Sequence, residues 1–128
     1  MVRAFKTRYF QRWARDVGLT DALLRRAVAE MAAGLIDADL GGGVVKKRVA
    51  LLPGRGKRGG ARTLVATNWA ERWFFMFGYA KNEQDSLSAK ELEAAQVVAA
   101  GFVKRTDVEL DQAVANGTLL EIAHANQD

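Results

Sequence analysis

The stretch RWFFMF, residues 72–77, decides the fold. Every residue after Arg72 is apolar, so both faces of a strand formed by this stretch would be apolar. A run of this kind is typical of a strand that is buried on both faces. The turn-forming residues 68–71 precede it. We therefore expect residues 72–79 to form the central, most buried strand of a sheet.

Two further strands are predicted before this one, over residues 44–52 and 62–67. Both segments are rich in β-branched and aliphatic residues, and they are separated by Pro53 and a glycine-rich loop. Consecutive strands joined by short turns pair in an antiparallel manner. The three segments thus predict an antiparallel three-stranded meander.

Helix signals flank the meander on both sides. Apolar residues at helical spacing predict one helix that ends at Gly18 and a second that is capped by Thr20 and ends at Gly34. Capping boxes at residues 88–91 and 106–109 predict two more helices. Short apolar segments at 2–6 and 118–123 complete the pattern, the latter as an edge strand or a docking tail.

The order of elements predicts an α+β fold, with a small, mostly antiparallel sheet and helices packed on one of its faces. A chain of 128 residues fits one domain, residues 1–128, and is too short for two. The helical region at about 88–117 is expected to belong to that domain.

Positive charge is concentrated in the middle of the chain. The net charge is only +4, but seven cations and no acid lie between residues 44 and 62. These cations are Lys46, Lys47, Arg48, Arg55, Lys57, Arg58 and Arg62. Such a cluster indicates either a polyanionic partner or a solvated basic face.

Composition excludes several classes of site. The chain has no cysteine, and its single histidine, His124, lies near the C-terminus. Thiolate catalysis, zinc sites built on cysteine and Ser-His-Asp catalysis therefore have almost no basis here, and we expect neither metal nor cofactor. No segment resembles a signal peptide or a membrane span, so we expect a cytoplasmic protein with no membrane partner.

The loop GRGKRGGAR, residues 54–62, matches known phosphate-binding motifs only superficially. The glycine spacing fits a dinucleotide fingerprint, but a predicted strand follows it where that motif requires a helix. A Walker A motif fails because Arg58 stands where Ser or Thr is needed. The remaining interpretations are a hairpin tip whose backbone and cations approach a ligand, or a solvent-exposed turn.

A second cluster follows the central strand, in YAKNE, residues 79–83. Strand alternation places Tyr79 and Lys81 on one face, near the start of the preceding strand, where Arg62 lies. We therefore expect Lys57, Arg62, Tyr79 and Lys81 to converge, although a core tyrosine and a surface lysine would explain the same residues.

Together these motifs carry a family resemblance. The string KRVA at 47–50, the pattern G-x-G-K-x-G-G-x-R at 54–62 and the pattern Y-x-K-N-E at 79–83 resemble the HigB branch of the RelE-like toxins of bacterial type II toxin-antitoxin systems. The similarity spans nearly the whole chain. It implies the RelE/ParE-like fold.

The resemblance also implies an activity and partners. It implies a metal-independent endoribonuclease that cuts mRNA in the ribosomal A site and so inhibits translation, and a cognate antitoxin, expected to be a helix-turn-helix protein. The catalytic residues that it implies are Lys57, Arg62, Tyr79 and Lys81. RNA binding is assigned to Lys46, Lys47, Arg48, Arg55 and Arg58.

The chemistry leaves some roles open. Lys57 or Lys81 can serve as general base if neighbouring cations and partial burial favour the neutral amine. Arg62 suits the non-bridging oxygens of the transition state, and Tyr79 can stack on a base or transfer a proton. Two other functions compete with the nuclease: a ParE-like inhibitor of DNA gyrase, and a non-catalytic nucleic-acid-binding module.

Overall fold

Six strands and four helices make up the part of the chain that the computed structural model describes, residues 2–51, 60–79 and 87–122. In chain order they are β1 (Arg3–Thr7), α1 (Arg8–Val17), α2 (Asp21–Ala32), β2 (Ala38–Gly41), β3 (Val44–Val49), β4 (Ala61–Thr67), β5 (Arg72–Tyr79), α3 (Ala89–Val103), α4 (Asp107–Ala115) and β6 (Leu119–Glu121).

All six strands form one sheet in the order β2-β3-β4-β5-β1-β6. The predicted meander is confirmed as β3-β4-β5, with antiparallel pairing throughout. The strand β1 pairs in parallel with β5, and β6 pairs antiparallel with β1 at one edge of the sheet. The α+β class and the mostly antiparallel sheet are therefore confirmed, and the segment at 118–123 contributes an edge strand.

The strand β2 was not predicted. It spans four residues, one of them charged, and it turns into β3 through Gly42 and Gly43. Both glycines have positive φ, which suits a tight hairpin. The run of three glycines at 41–43 indicates a loop in the sequence, so the short strand before it was not predicted.

Helices cover both faces of the sheet, so the prediction that they pack on one face was wrong. Neighbouring residues of β3 point into different cores: Val45 belongs to the core under α1 and α2, and Val44 to the core under α3 and α4. Likewise Phe75 packs against Phe10 of α1, whereas Phe74 stacks on Phe102 of α3. A strand that is apolar on both sides needs cover on both sides.

The predicted helix starts are confirmed in detail. The hydroxyl of Thr20 accepts a hydrogen bond from the Leu23 N–H, and complete capping boxes open α3 and α4 at Ser88 and Thr106. Each cap satisfies backbone donors that a helix start leaves unpaired. The first helix ends at Gly18 in the left-handed conformation, as its sequence indicates.

A β-bulge interrupts β5. Leu64 of β4 is opposite Phe77, but the next residue, Val65, is opposite Phe75, so Met76 has no partner. A bulge of this kind shifts the alternation of the strand by one residue. As a result Phe75 faces α1, whereas Tyr79, four residues later, faces α3.

Candidate functional site

Three side chains form a row across β3, β4 and β5 at one end of the sheet. Arg48 is the register partner of Arg62, and Arg62 is the partner of Tyr79. Directly opposed residues in antiparallel strands have Cβ atoms about 4.5–5.5 Å apart. The predicted proximity of Arg62 and Tyr79 is therefore confirmed, and Arg48 joins them on the face covered by α3.

Arg62 is a buried cation that meets no counterion among the described residues. Its relative exposure is only 8%. Within the described residues, no hydrogen bond or ion pair engages its guanidinium, and its cross-strand neighbour on one side is another arginine, Arg48. Like charges directly opposite each other destabilise a sheet, and burying a charge without a partner costs free energy. This arrangement favours the binding of an anion between the two guanidinium groups.

The two lysines of β3 point to opposite faces. Lys46 lies on the same face as Arg48, two residues before it in β3, and its register partner is Leu64. Lys47 points the other way and is 2% exposed; its amine lies 2.8 Å from a carboxylate oxygen of Glu30 and donates to the Leu35 carbonyl. The structure thus brings Lys46 toward the arginine row and places Lys47 under α2 on the opposite face, so the site does not include Lys47, which the sequence had grouped with the RNA-binding residues.

The remaining predicted site residues lie outside the described residues. These are Lys57, Lys81, Arg55 and Arg58. The two segments that carry them, 52–59 and 80–86, follow the end of β3 and the end of β5. Both strand ends are at the end of the sheet where Arg62 and Tyr79 meet.

An open groove lies beside the arginine row, between the end of β5 and α3. It has a volume of about 370 Å³. Tyr79, Phe77 and Leu64 form its sheet side, α3 forms the opposite wall, and Tyr9 lies at its border. Sequence reasoning missed Tyr9 and Phe77 as site residues. Tyr9 reaches this end of the sheet only because β1 pairs in parallel with β5, which places the start of α1 there.

Sequence reasoning also missed a basic stripe on α1. Arg8, Arg12 and Arg15 are exposed and line one groove between α1 and β6. Their spacing of four and three residues puts them on one side of the helix. A helical-wheel count of cations would have identified this stripe from the sequence.

Comparison with known proteins assigns the chain to a family. A family model described as the RelE toxin of the RelE/RelB toxin-antitoxin system matches residues 2–122. The chain belongs to the RelE toxin family. A search of curated proteins finds no match to this RelE-family chain.

Membership supports the resemblance found in the motifs and defines the biological setting. A RelE toxin belongs to a toxin-antitoxin system, so a cognate antitoxin is a partner that the family implies. Within residues 2–51, 60–79 and 87–122, no helix of this RelE protein is long and apolar enough to cross a bilayer. The same residues contain no group of three or more His, Cys, Asp or Glu side chains arranged to hold a metal ion.

Proposed function

We propose that this RelE-family protein, of the HigB branch, is a ribosome-dependent endoribonuclease that cleaves mRNA in the A site and so stops translation in the cytoplasm. The observation that carries the proposal is the buried side chain of Arg62 beside Arg48 and Tyr79, with no carboxylate partner in the part of the chain that the structure describes. A site that holds two cations side by side suits the dianionic transition state of phosphodiester cleavage. The single-domain organisation over residues 1–128 remains a prediction.

The reaction is an attack of a ribose 2′-oxygen on the adjacent phosphorus. The 2′-oxygen forms a bond to phosphorus while its proton passes to a general base, and the bond from phosphorus to the 5′-oxygen breaks. The leaving 5′-oxygen takes up a proton. The products are therefore a 2′,3′-cyclic phosphate and a 5′-hydroxyl end, and the reaction needs no water in its first step.

The described residues supply charge and position. Arg62 and Arg48 donate hydrogen bonds to the non-bridging oxygens, where negative charge grows in the transition state. Tyr79 supports the nucleotide by stacking or by proton transfer. Arginine cannot act as the base at neutral pH, so the proton steps fall to Lys57 and Lys81, in the segments that adjoin the row.

Positioning by the ribosome is a second part of the proposal. A lysine has an ordinary pKa of about 10.4, and it is a weak base at neutral pH unless its surroundings favour the neutral form. Fixing the message in the correct geometry contributes to the rate without stronger acid or base groups. Free RNA should therefore be a poor substrate.

Cleavage by purified protein on programmed ribosomes tests the proposal. Arg62→Gln keeps a hydrogen-bonding side chain but removes the charge, and we expect a loss of about 10²- to 10³-fold in cleavage rate, as for loss of one oxyanion donor. Arg26→Gln is the matched control: Arg26 is exposed on α2 and lies on the other side of the sheet, so it should leave the rate unchanged.

End-group analysis completes this test. Cut messages should carry 2′,3′-cyclic phosphate and 5′-hydroxyl ends, and Lys57→Ala with Lys81→Ala should abolish them. Inhibition of gyrase supercoiling by wild-type protein, with intact messages on ribosomes, would instead support a ParE-like activity. Binding of RNA without any cleavage would support the non-catalytic module.

A further inference from the structure

The groove beside the arginine row has an exposed aromatic side chain at its mouth. Tyr9, in the first turn of α1, is 63% exposed, and its ring meets that of Phe77 edge to face with the centroids 6.0 Å apart. Phe77 is itself half-buried and forms the floor of the groove. The two rings therefore form one apolar surface at the mouth of the groove.

The groove suits an apolar, planar occupant. Leu64, Leu87 and Val98 line it together with the two rings. The charged side chain in its lining is Glu91, whose carboxylate accepts from the Ser88 N–H in the capping box of α3 and adds negative charge that repels phosphate. A nucleobase is flat and neutral, so its shape and charge match this lining.

The groove is continuous with the proposed phosphate site. Leu64 and Phe77 form the register pair next to the pair of Arg62 and Tyr79, on the same face of the sheet. Neighbouring positions on one face of a strand are about 6.8 Å apart. A nucleotide whose phosphate lies between Arg48 and Arg62 therefore has its base, or the base of its neighbour, within reach of Phe77 and Tyr9.

We propose that the groove between β5 and α3 binds one splayed-out base of the RNA, which stacks on Tyr9 over Phe77 while its phosphate contacts the arginine row. This inference rests on the proposed ribonuclease function, and it assigns Tyr9 as a residue that contacts a base of the substrate. Single-stranded RNA is commonly held in this way, with aromatic rings stacking on unpaired bases and cations following the backbone.

The test uses ribosomes programmed with a message that carries a 2′-O-methyl group at the scissile nucleotide. This group blocks the attack, so binding of fluorescently labelled full-length protein is measured without cleavage. Tyr9→Ala should weaken binding by about 5- to 150-fold, the equivalent of one lost stacking contact. Tyr9→Phe should bind within about twofold of wild type, because it keeps the ring.

A message with an abasic nucleotide supplies the decisive control. Scanned across the A-site codon, one abasic position should weaken wild-type binding to the same extent as Tyr9→Ala, and the two changes together should cost no more than either alone. Trp69→Ala should have no effect, because Trp69 is an exposed aromatic residue in the β4–β5 turn, at the far end of the sheet.

The outcomes separate this inference from the proposed function. Losses that add independently, or normal binding by Tyr9→Ala, would overturn the base site while leaving cleavage intact. Weakened binding of the antitoxin alone by Tyr9→Ala would also overturn it, since the groove would then hold a protein side chain. Stacking that is confirmed on the methylated message, with no cleavage of the unmodified one, would instead contradict only the nuclease function.

Discussion

Two buried cations of the sheet, Lys47 and Arg62, should respond in opposite ways to the same substitution. Lys47 and Arg62 are both largely inaccessible, but the lysine contacts Glu30 and the Leu35 carbonyl, whereas the guanidinium of Arg62 contacts no carboxylate among the described residues. Replacing each with methionine keeps a long apolar stem and removes the charge. We expect Arg62→Met to stabilise the free protein and Lys47→Met to destabilise it.

The magnitudes follow from the contacts. Arg62→Met removes a poorly satisfied buried charge opposite Arg48, and this should raise the free energy of unfolding by about 1–2 kcal/mol. Lys47→Met removes a donor from the Leu35 carbonyl and one of the partners of the Glu30 carboxylate. Loss of one partner from a fully buried pair costs about 3–5 kcal/mol, but the Glu30 side chain stays 25% exposed, so we expect about 1–3 kcal/mol here.

Thermal and urea unfolding of the antitoxin-free protein measure both values. For a chain of this size, about 1 kcal/mol corresponds to a shift of roughly 3–5 °C in Tm. Cleavage on programmed ribosomes supplies the second readout: Arg62→Met should be inactive although more stable, and Lys47→Met should remain active below its lowered Tm. If Arg62→Met lowered Tm as much as Lys47→Met, the guanidinium would be part of the fold, and our account of the site would be refuted.

Three further predictions concern the framework of the site. Gly78→Ala should lower the unfolding free energy, measured in urea, by about 1–3 kcal/mol, because the new Cβ would lie 2.1 Å from the Trp13 ring. Adding Trp13→Leu, which replaces that ring with a smaller side chain, should recover part of the loss. Equal stability of Gly78→Ala and wild type would contradict the close packing. Arg3→Met should lower the unfolding free energy by about 1–2 kcal/mol, because the Arg3 guanidinium contacts three partly solvated carboxylates. The loss should be larger in low salt than in high salt. A loss that does not depend on salt would indicate that Arg3 stabilises the fold by packing instead. Hydrogen bonds from the backbone and hydroxyl of Thr106 lower the pKa of Glu109 in the folded state, so the contribution of Glu109 to stability is present above its unfolded pKa of about 4.3 and is lost as pH falls below that value. Glu109→Gln should therefore lose less stability than wild type between pH 6 and pH 3. Identical acid sensitivity of the two proteins would exclude Glu109 as a source of the loss.

The fold was predictable where local chemistry decides it. Thr20, Ser88 and Thr106 begin helices because their hydroxyls satisfy free backbone N–H groups, and this depends on a few neighbouring residues. The meander was predictable from turn signals and β-branched residues. The strand β2 and the placement of helices on both faces were not, because each depends on partners that are distant in sequence.

The site was predictable only in part, for a related reason. The proximity of Arg62 to Tyr79 follows from a hairpin register, which the positions of the turn residues nearly specify. The opposite burial of Lys46 and Lys47 requires knowing that α2 covers one face of β3. Tyr9 lies at the site because β1 pairs in parallel with β5. Parallel strands are not joined by a tight turn, so the sequence carries no local signal of this pairing.

The bulge at Met76 makes the length of β5 as important as its composition. Odd-numbered residues before the bulge face one core, and odd-numbered residues after it face the other. A deletion of one residue in 75–77 that restored continuous pairing would keep every aromatic type in the strand. It would keep Tyr79 opposite Arg62 and facing α3, because β4 leaves one residue of the bulge unpaired, but the core under α3 would then receive one side chain where Met76 and Phe77 now both face it. The extra residue of β5 thus lets the strand supply two consecutive side chains to one core and still keep Tyr79 beside Arg62.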